Sequence, residues 1–296
     1  MWKKVLMGAM MATMMMGATA MASDSHIQMG GSSSVFPLAQ KLTSQYMQEN
    51  SGVDFHVTYK DSGAGIKGAA DGTFDIGNAS RDLNSTDPAG LVSTTICQDA
   101  VVMIVNPNVK VKNLTTAQVQ AIYSGKDANN KAVVYWSDVQ AGLPHTKIVV
   151  ETREAGSGTL DCFTKQIMGT TQISSIAKVN DGSPALKTAV ATTPNAIGFI
   201  SLGYVDNSTV MGCSLNGVTA SVATIHNKTY SAWRNFNMIT KGAPATGSNV
   251  QNFITWVLGS EGQAIVSADG EIPNATSVSA AANHTQRTER TQRAHR

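Results

Sequence analysis

Between Val149 and Ile167 the chain reads VVETREAGSGTLDCFTKQI. A β-branched run ends at Thr152 and Arg153 follows. Ser157 and Thr159 then flank Gly158, where helical spacing begins. The first turn of a helix carries N–H groups without intrahelical partners and the positive end of the macrodipole, so it attracts anions. Glycine lets backbone approach a ligand closely, and an arginine fork grips an oxyanion through two bonds. The same residues also read as an ordinary capped helix with Arg153 on the surface, and this stretch alone leaves the two readings about even.

Recurrence separates them. GGSSSV and DSGAGIK also open helices, so three glycine- and hydroxyl-rich entrances occur in one chain. Together they favour one oxyanion cage over three independent caps. Sharper motifs fall away. Gly63-Ala-Gly65-Ile-Lys-Gly68 matches G-x-G-x-x-G after a strand, but the next strand begins near Phe74, too soon for the long helix of a dinucleotide fold. Gly125-Lys126-Asp127 lacks the rest of a P-loop, and Ala155-Gly-Ser157-Gly-Thr is not G-x-S-x-G. His26, His56, His145, His226, His284 and His295 are scattered without zinc-site spacing. No metal or cofactor is expected, and no catalytic constellation stands out.

The elements that must position these turns alternate between strand and helix, which indicates an α/β architecture. VDFHVTY and KIVVET read as strands, and LTTAQVQAIYSGK as a capped helix ending at Gly125. The run TTICQDAVVMIVNP, residues 94–107, is longer than a typical strand and reads as the place where the chain passes between lobes. Lys3 and Lys4 precede an apolar run that closes on Ala20-Met21-Ala22, the pattern of a cleaved signal peptide over residues 1–22. Residues 277–296 are polar and aperiodic, and read as a disordered tail. The net charge of +2 includes the two leader lysines and +3 from the tail's four arginines and one glutamate, so the remainder carries −3. A mildly acidic body has no broad basic field, and no nucleic-acid partner is expected. Any anion must be held by a few local groups. Three cysteines allow one bridge plus a free thiol, with the pair left open.

With these turns in view, the chain resembles the phosphate-binding proteins of Pst-type ABC transporters, in the periplasmic binding protein superfamily. The resemblance rests on GSSSVFPLAQK, SGAGIKGAADGTFDIGNASRDL, REAGSGT, NAIGFISLGYV and the closing ITKG with FITWVLGSEGQAIVSADGEIP. It implies a two-lobed, type II-like α/β fold with hinge strands and an anion cleft between the lobes. Lobe 1 would take 23–102 and 232–276, and lobe 2 would take 103–231. It implies a phosphate site of Ser33, the Ser34 hydroxyl, the Val35 N–H, the Ser62 hydroxyl, Arg81, Arg153, Ser157, the Gly158 N–H and Thr159. Arg153 is expected to be an unpaired charge until the anion arrives. Arg81 stands where the best-known pattern has an aspartate, which leaves Asp61, Asp82 and Glu154 as acceptors that would tell phosphate from sulfate, Asp61 first. The protein would be periplasmic and monomeric, and would deliver phosphate to a membrane permease. The alternatives are another oxyanion, such as sulfate or a molybdate-like ion, and a secreted phosphate-ester hydrolase using Ser34 or Ser157.

Overall fold

In the computed structural model, which describes residues 25–274, strand β1 (His26–Gly31) lies parallel to both β2 (Asp54–Val57) and β3 (Ile76–Ala79). The leader read at 1–22 and the tail read at 277–296 lie outside the described residues. Helix α1 (Phe36–Glu49) turns Leu38, Ala39, Leu42 and Tyr46 inward, the spacing of one helical face, and Tyr46 meets the rings of Phe55 and Phe253.

Helix α2 (Ser62–Asp71) explains the glycine motif in purely steric terms. A Cβ on Gly65 would sit 2.4 Å from the Asn78 carbonyl oxygen and 2.9 Å from the Gly31 Cα, and one on Gly77 would sit 2.1 Å from the Gly65 oxygen. Glycine there lets α2 lie directly on β1 and β3. Gly68 and Gly30 face the Phe74 ring in the same way. Phe74 itself precedes the strand, which begins at Ile76 rather than near 74.

The long run becomes β4 (Leu91–Val105), which serves two halves of one mixed sheet. Its first part, from Leu91 to Ala100, pairs antiparallel with β11 (Trp233–Lys241), and residues Val101–Val105 pair antiparallel with β8 (Ala196–Ser201). Strand β6 (Val149–Arg153) continues the second half parallel to β8 and to β7 (Lys178–Asn180). The strand order is β2-β1-β3-β11-β4-β8-β6-β7. Short strands β9 (Met211–Gly212) and β12 (Ile272–Pro273) also pair with β4, while β5 (Asn113–Leu114) and β10 (Ser214–Leu215) pair with each other.

Helices α3 (Thr116–Ser124), α4 (Trp136–Val139), α5 (Gly158–Phe163), α6 (Ser183–Thr192) and α7 (Val222–His226) flank the second half. Helices α8 (Asn249–Leu258) and α9 (Ser260–Asp269) return to the first. Helix α3 has a complete capping box from Thr115 and Gln118 and stops at Gly125, which is left-handed (φ 79°). Two large hydrophobic cores and two smaller ones result among the described residues. One large core gathers Leu38, Phe55, Ile96, Phe236 and Phe253, and the other Met103, Tyr123, Phe163, Phe199 and Trp136. The architecture is two-lobed and α/β. Cys97, Cys162 and Cys213 are all buried thiols without a bridge, and burial pushes the Cys162 thiol up to about 12.

Candidate functional site

The glycine- and hydroxyl-rich turns converge. Ser32, Ser33 and Ser34 lie between β1 and α1, Ser62 opens α2, Ser80 follows β3, Thr159 is in the first turn of α5, and Ser183 opens α6. None of these hydroxyl residues is more than 3 % exposed. The hydroxyls bond one another: Ser34 Oγ lies 2.8 Å from Thr159 Oγ1 and 3.1 Å from Ser183 Oγ. Ser80 Oγ accepts from Ser32 at 2.9 Å and lies 3.1 Å from Ser62 Oγ. Gly158 belongs here because it has no side chain, since a Cβ would come within 2.5 Å of Ser62 Oγ and 2.6 Å of Ser80 Oγ.

Two buried arginines reach this cluster from opposite halves of the sheet. Arg153, at the end of β6, donates from Nη1 to Ser183 Oγ at 2.9 Å and to Thr159 Oγ1 at 3.3 Å, and from Nη2 to Ser33 Oγ at 3.1 Å. Arg234, on β11, donates from Nη1 to Thr159 Oγ1 at 2.9 Å and to Ser80 Oγ at 3.2 Å. A single threonine hydroxyl thus receives both guanidiniums. Neither arginine is a lone charge, which corrects the expectation for Arg153. Glu154 accepts from its Nε at 2.8 Å and its Nη2 at 2.7 Å. Burial opposes ionisation of Glu154, but the Arg153 hydrogen bonds and charge, with the Gly182 N–H, outweigh it and hold the carboxyl below its usual range. Asp99 does the same service for Arg234, accepting from Nε at 2.9 Å and Nη2 at 2.8 Å. The two residues stand opposite each other in the β4–β11 ladder.

A family model described as a PBP superfamily domain matches residues 17–261. The chain belongs to the PBP superfamily. Among the relatives of this superfamily member, the phosphate-binding protein PstS of Bacillus subtilis is 28% identical over 252 residues, covering 83% of this chain and 80% of its own. That of Borreliella burgdorferi is 28% identical over 257 residues, covering 82% and 88%. A crystal structure assigned to a phosphate ABC transporter substrate-binding protein of Clostridium perfringens, with phosphate bound, is 33% identical with a TM-score of 0.78, covering 84% of this chain and 99% of that one. An ABC-type phosphate transport receptor of Vibrio cholerae is 28% identical with a TM-score of 0.67, covering 84% and 100%.

Of the residues singled out from the sequence, Ser33, Ser34, Ser62, Arg153, Gly158 and Thr159 meet in this buried cluster. Ser157 lies beside them as the cap of α5, its Oγ accepting from the Leu160 N–H at 3.2 Å. The Val35 N–H donates within its own turn to the Ser32 carbonyl at 3.2 Å. Arg81 is not brought into the cluster: its two Nη groups donate to both oxygens of Asp87 at 2.7 and 2.8 Å, a pair that raises the pKa of Arg81 and lowers that of Asp87. Of the candidate acceptors, Glu154 is taken up by Arg153 and Asp82 by Asn235 and Asn237, whereas Asp61 caps α2 through Oδ1.

Arg234, Ser80, Ser32 and Ser183 escaped the sequence reading. Gly182-Ser183-Pro184 is a fourth entrance of the same composition and carried a usable signal. So did Asp99 and Arg234, each a lone charge inside a β-rich run, because a buried charge must be paired. A pocket of about 180 Å³, lined by Ser80, Arg81, Asp161, Lys165 and Arg234 among others, adjoins the cluster. Among the described residues no histidine, lysine or carboxylate is hydrogen-bonded to Ser34 or Ser157 through its hydroxyl, and no group of three metal-ligating side chains occurs.

Proposed function

We propose that this chain is a solute-binding protein that captures inorganic phosphate between two lobes and delivers it to the membrane permease of an ABC importer. One observation carries the reading: two buried arginines from different halves of the sheet meet on one threonine inside a ring of buried hydroxyls. Such a ring holds an oxyanion through donors rather than through net charge, since each guanidinium already has its own carboxylate. Each hydroxyl that exchanges a neutral partner for an anionic oxygen makes a bond roughly twice as strong. The phosphate-bound relative from Clostridium perfringens supports the choice of ligand.

In this reading lobe 1 comprises 23–102 with 232–276, and lobe 2 comprises 103–231; one large core lies within the first, and most of the other lies within the second. The site is Ser32, Ser33, Ser34, Ser62, Ser80, Arg153, Gly158, Thr159, Ser183 and Arg234, with Val35 and Ser157 shaping its turns. The protein works as a periplasmic monomer after removal of residues 1–22. Its role in this reading is binding rather than catalysis, in keeping with its membership of the PBP superfamily.

Calorimetric titration with phosphate and with sulfate between pH 5 and 9, alongside incubation with a chromogenic phosphate ester, tests the reading. Phosphate should bind with one site per chain and the ester should persist. Tight sulfate binding with no phosphate uptake would reassign the ligand, and ester turnover abolished by Ser34→Ala would make the protein a hydrolase.

A further inference from the structure

The turn Leu202–Tyr204, which follows β8, reaches across to the first lobe without joining the hydroxyl cluster. Tyr204 donates its phenolic hydrogen to the Ser33 carbonyl oxygen at 2.7 Å. The same residue is held through its side chain, where Ser33 Oγ accepts from Arg153 Nη2 at 3.1 Å and from the Ser183 N–H at 3.0 Å. Three residues of the second lobe thus fasten one residue of the β1–α1 turn, and of these only Tyr204 does so through the Ser33 backbone. At its other end the turn is anchored by the Leu202 N–H, which donates to Asp99 Oδ1 at 3.1 Å, the carboxylate that also holds Arg234. Burial raises the pKa of the Tyr204 hydroxyl, which keeps the donor hydrogen in place across the physiological range.

We infer that Tyr204 is an interlobe latch: a positioning residue that ties the Ser33 backbone to the second lobe only when the cleft is closed, and so slows release of the bound anion. The inference rests on the phosphate reading for its ligand and on the geometry for its mechanism. The Ser33 carbonyl is an acceptor beside a cleft that holds an acceptor-rich anion. Pairing it with Tyr204 removes that repulsion and costs the anion none of its own donors. A bond that exists only after closure acts on escape, leaving the encounter untouched.

Tyr204→Phe removes one oxygen and keeps the ring. With phosphate as probe in stopped-flow measurements, the release rate should rise about two- to tenfold, the worth of one hydrogen bond between neutral groups. The association rate should stay within about twofold, and the melting temperature of the phosphate-free protein should be unchanged. An unchanged release rate, or an equal loss in association, would overturn the latch while leaving the ligand assignment intact. A fall in phosphate-free stability accounting for the whole effect would make Tyr204 merely structural and also overturn it. If the unmutated protein takes up sulfate or molybdate in place of phosphate, the ligand reading falls and the same rates are measured with that ion. Binding of none of the three removes both.

Discussion

The Asp99–Arg234 pair allows folding and binding to be separated by comparing a single variant with a double one. Arg234 Nε and Nη2 hold Asp99, a carboxylate with 0 % exposure, while its Nη1 faces Ser80 and Thr159 in the cluster. Among the described residues, Arg234→Ala leaves the Asp99 carboxylate with the Leu202 N–H as its one hydrogen-bond donor. Breaking a buried pair from one side costs about 3–5 kcal/mol. At roughly 2–4 °C per kcal/mol for a chain of this size, the melting temperature should drop by about 6–20 °C. Phosphate affinity should fall by about 2–5 kcal/mol, thirtyfold to several thousandfold. The double variant Asp99→Ala/Arg234→Ala discards the stranded charge together with its partner. It should recover much of the lost stability while phosphate binding stays weak. Melting curves and calorimetric titration on the three proteins read both quantities. Wild-type affinity in Arg234→Ala would refute the placement of Arg234 on the anion, and recovery of binding in the double variant would show that the loss came from folding alone.

Arg81→Ala should lower the melting temperature by loosening the 81–87 loop that the Asp87 pair closes, with phosphate affinity changed by less than about threefold, ~0.7 kcal/mol. A thirtyfold loss in titration would return Arg81 to the site. Glu271 is buried with Oε2 unpartnered, and burial, then the nearby Asp99 charge, raise its carboxyl from 4.5 to about 8. The folded state then keeps a proton that the unfolded chain has released, so stability is full below about pH 4.5 and declines as pH rises to about 8, by at most about 1.4 kcal/mol per unit. Glu271→Gln should flatten that decline in urea denaturation at pH 5 and pH 8, and an unchanged slope would assign it to other groups.

The parts of the site that could be read in advance are those with local causes. Glycine and hydroxyls at a helix entrance state their own conformation, so the turns GGSSSV, DSGAGIK and REAGSGT were visible in the chain without any knowledge of the fold, while the family resemblance singled out Ser33, Ser34, Ser62 and Gly158 within them. Asp99 and Arg234 lie 135 residues apart and meet only because β11 and β4 adopt one register. No local pattern encodes that match. Arg81 shows the opposite failure: a resemblance placed it on the anion, while the 81–87 loop brings Asp87 within 2.7 Å of it. Glu154 likewise sat beside Arg153 in the sequence, but neighbouring residues on a strand point to opposite faces, so the pair depends on the chain leaving β6 at that point.

The position of β11 between β3 and β4 has a consequence for synthesis. As the chain emerges N-terminus first, β1 to β4 are complete more than a hundred residues before 233–241 appear. Until then β3 and β4 each present an open edge that β11 will later cover, and open edges invite pairing with other chains. The strands of the other half, β8, β6 and β7, need nothing beyond residue 201 to pair. The nascent protein therefore passes through a stage with one half of its sheet assembled and the other a gap waiting for a single strand. That stage is the one most exposed to aggregation, and the one a holding chaperone would have most reason to occupy.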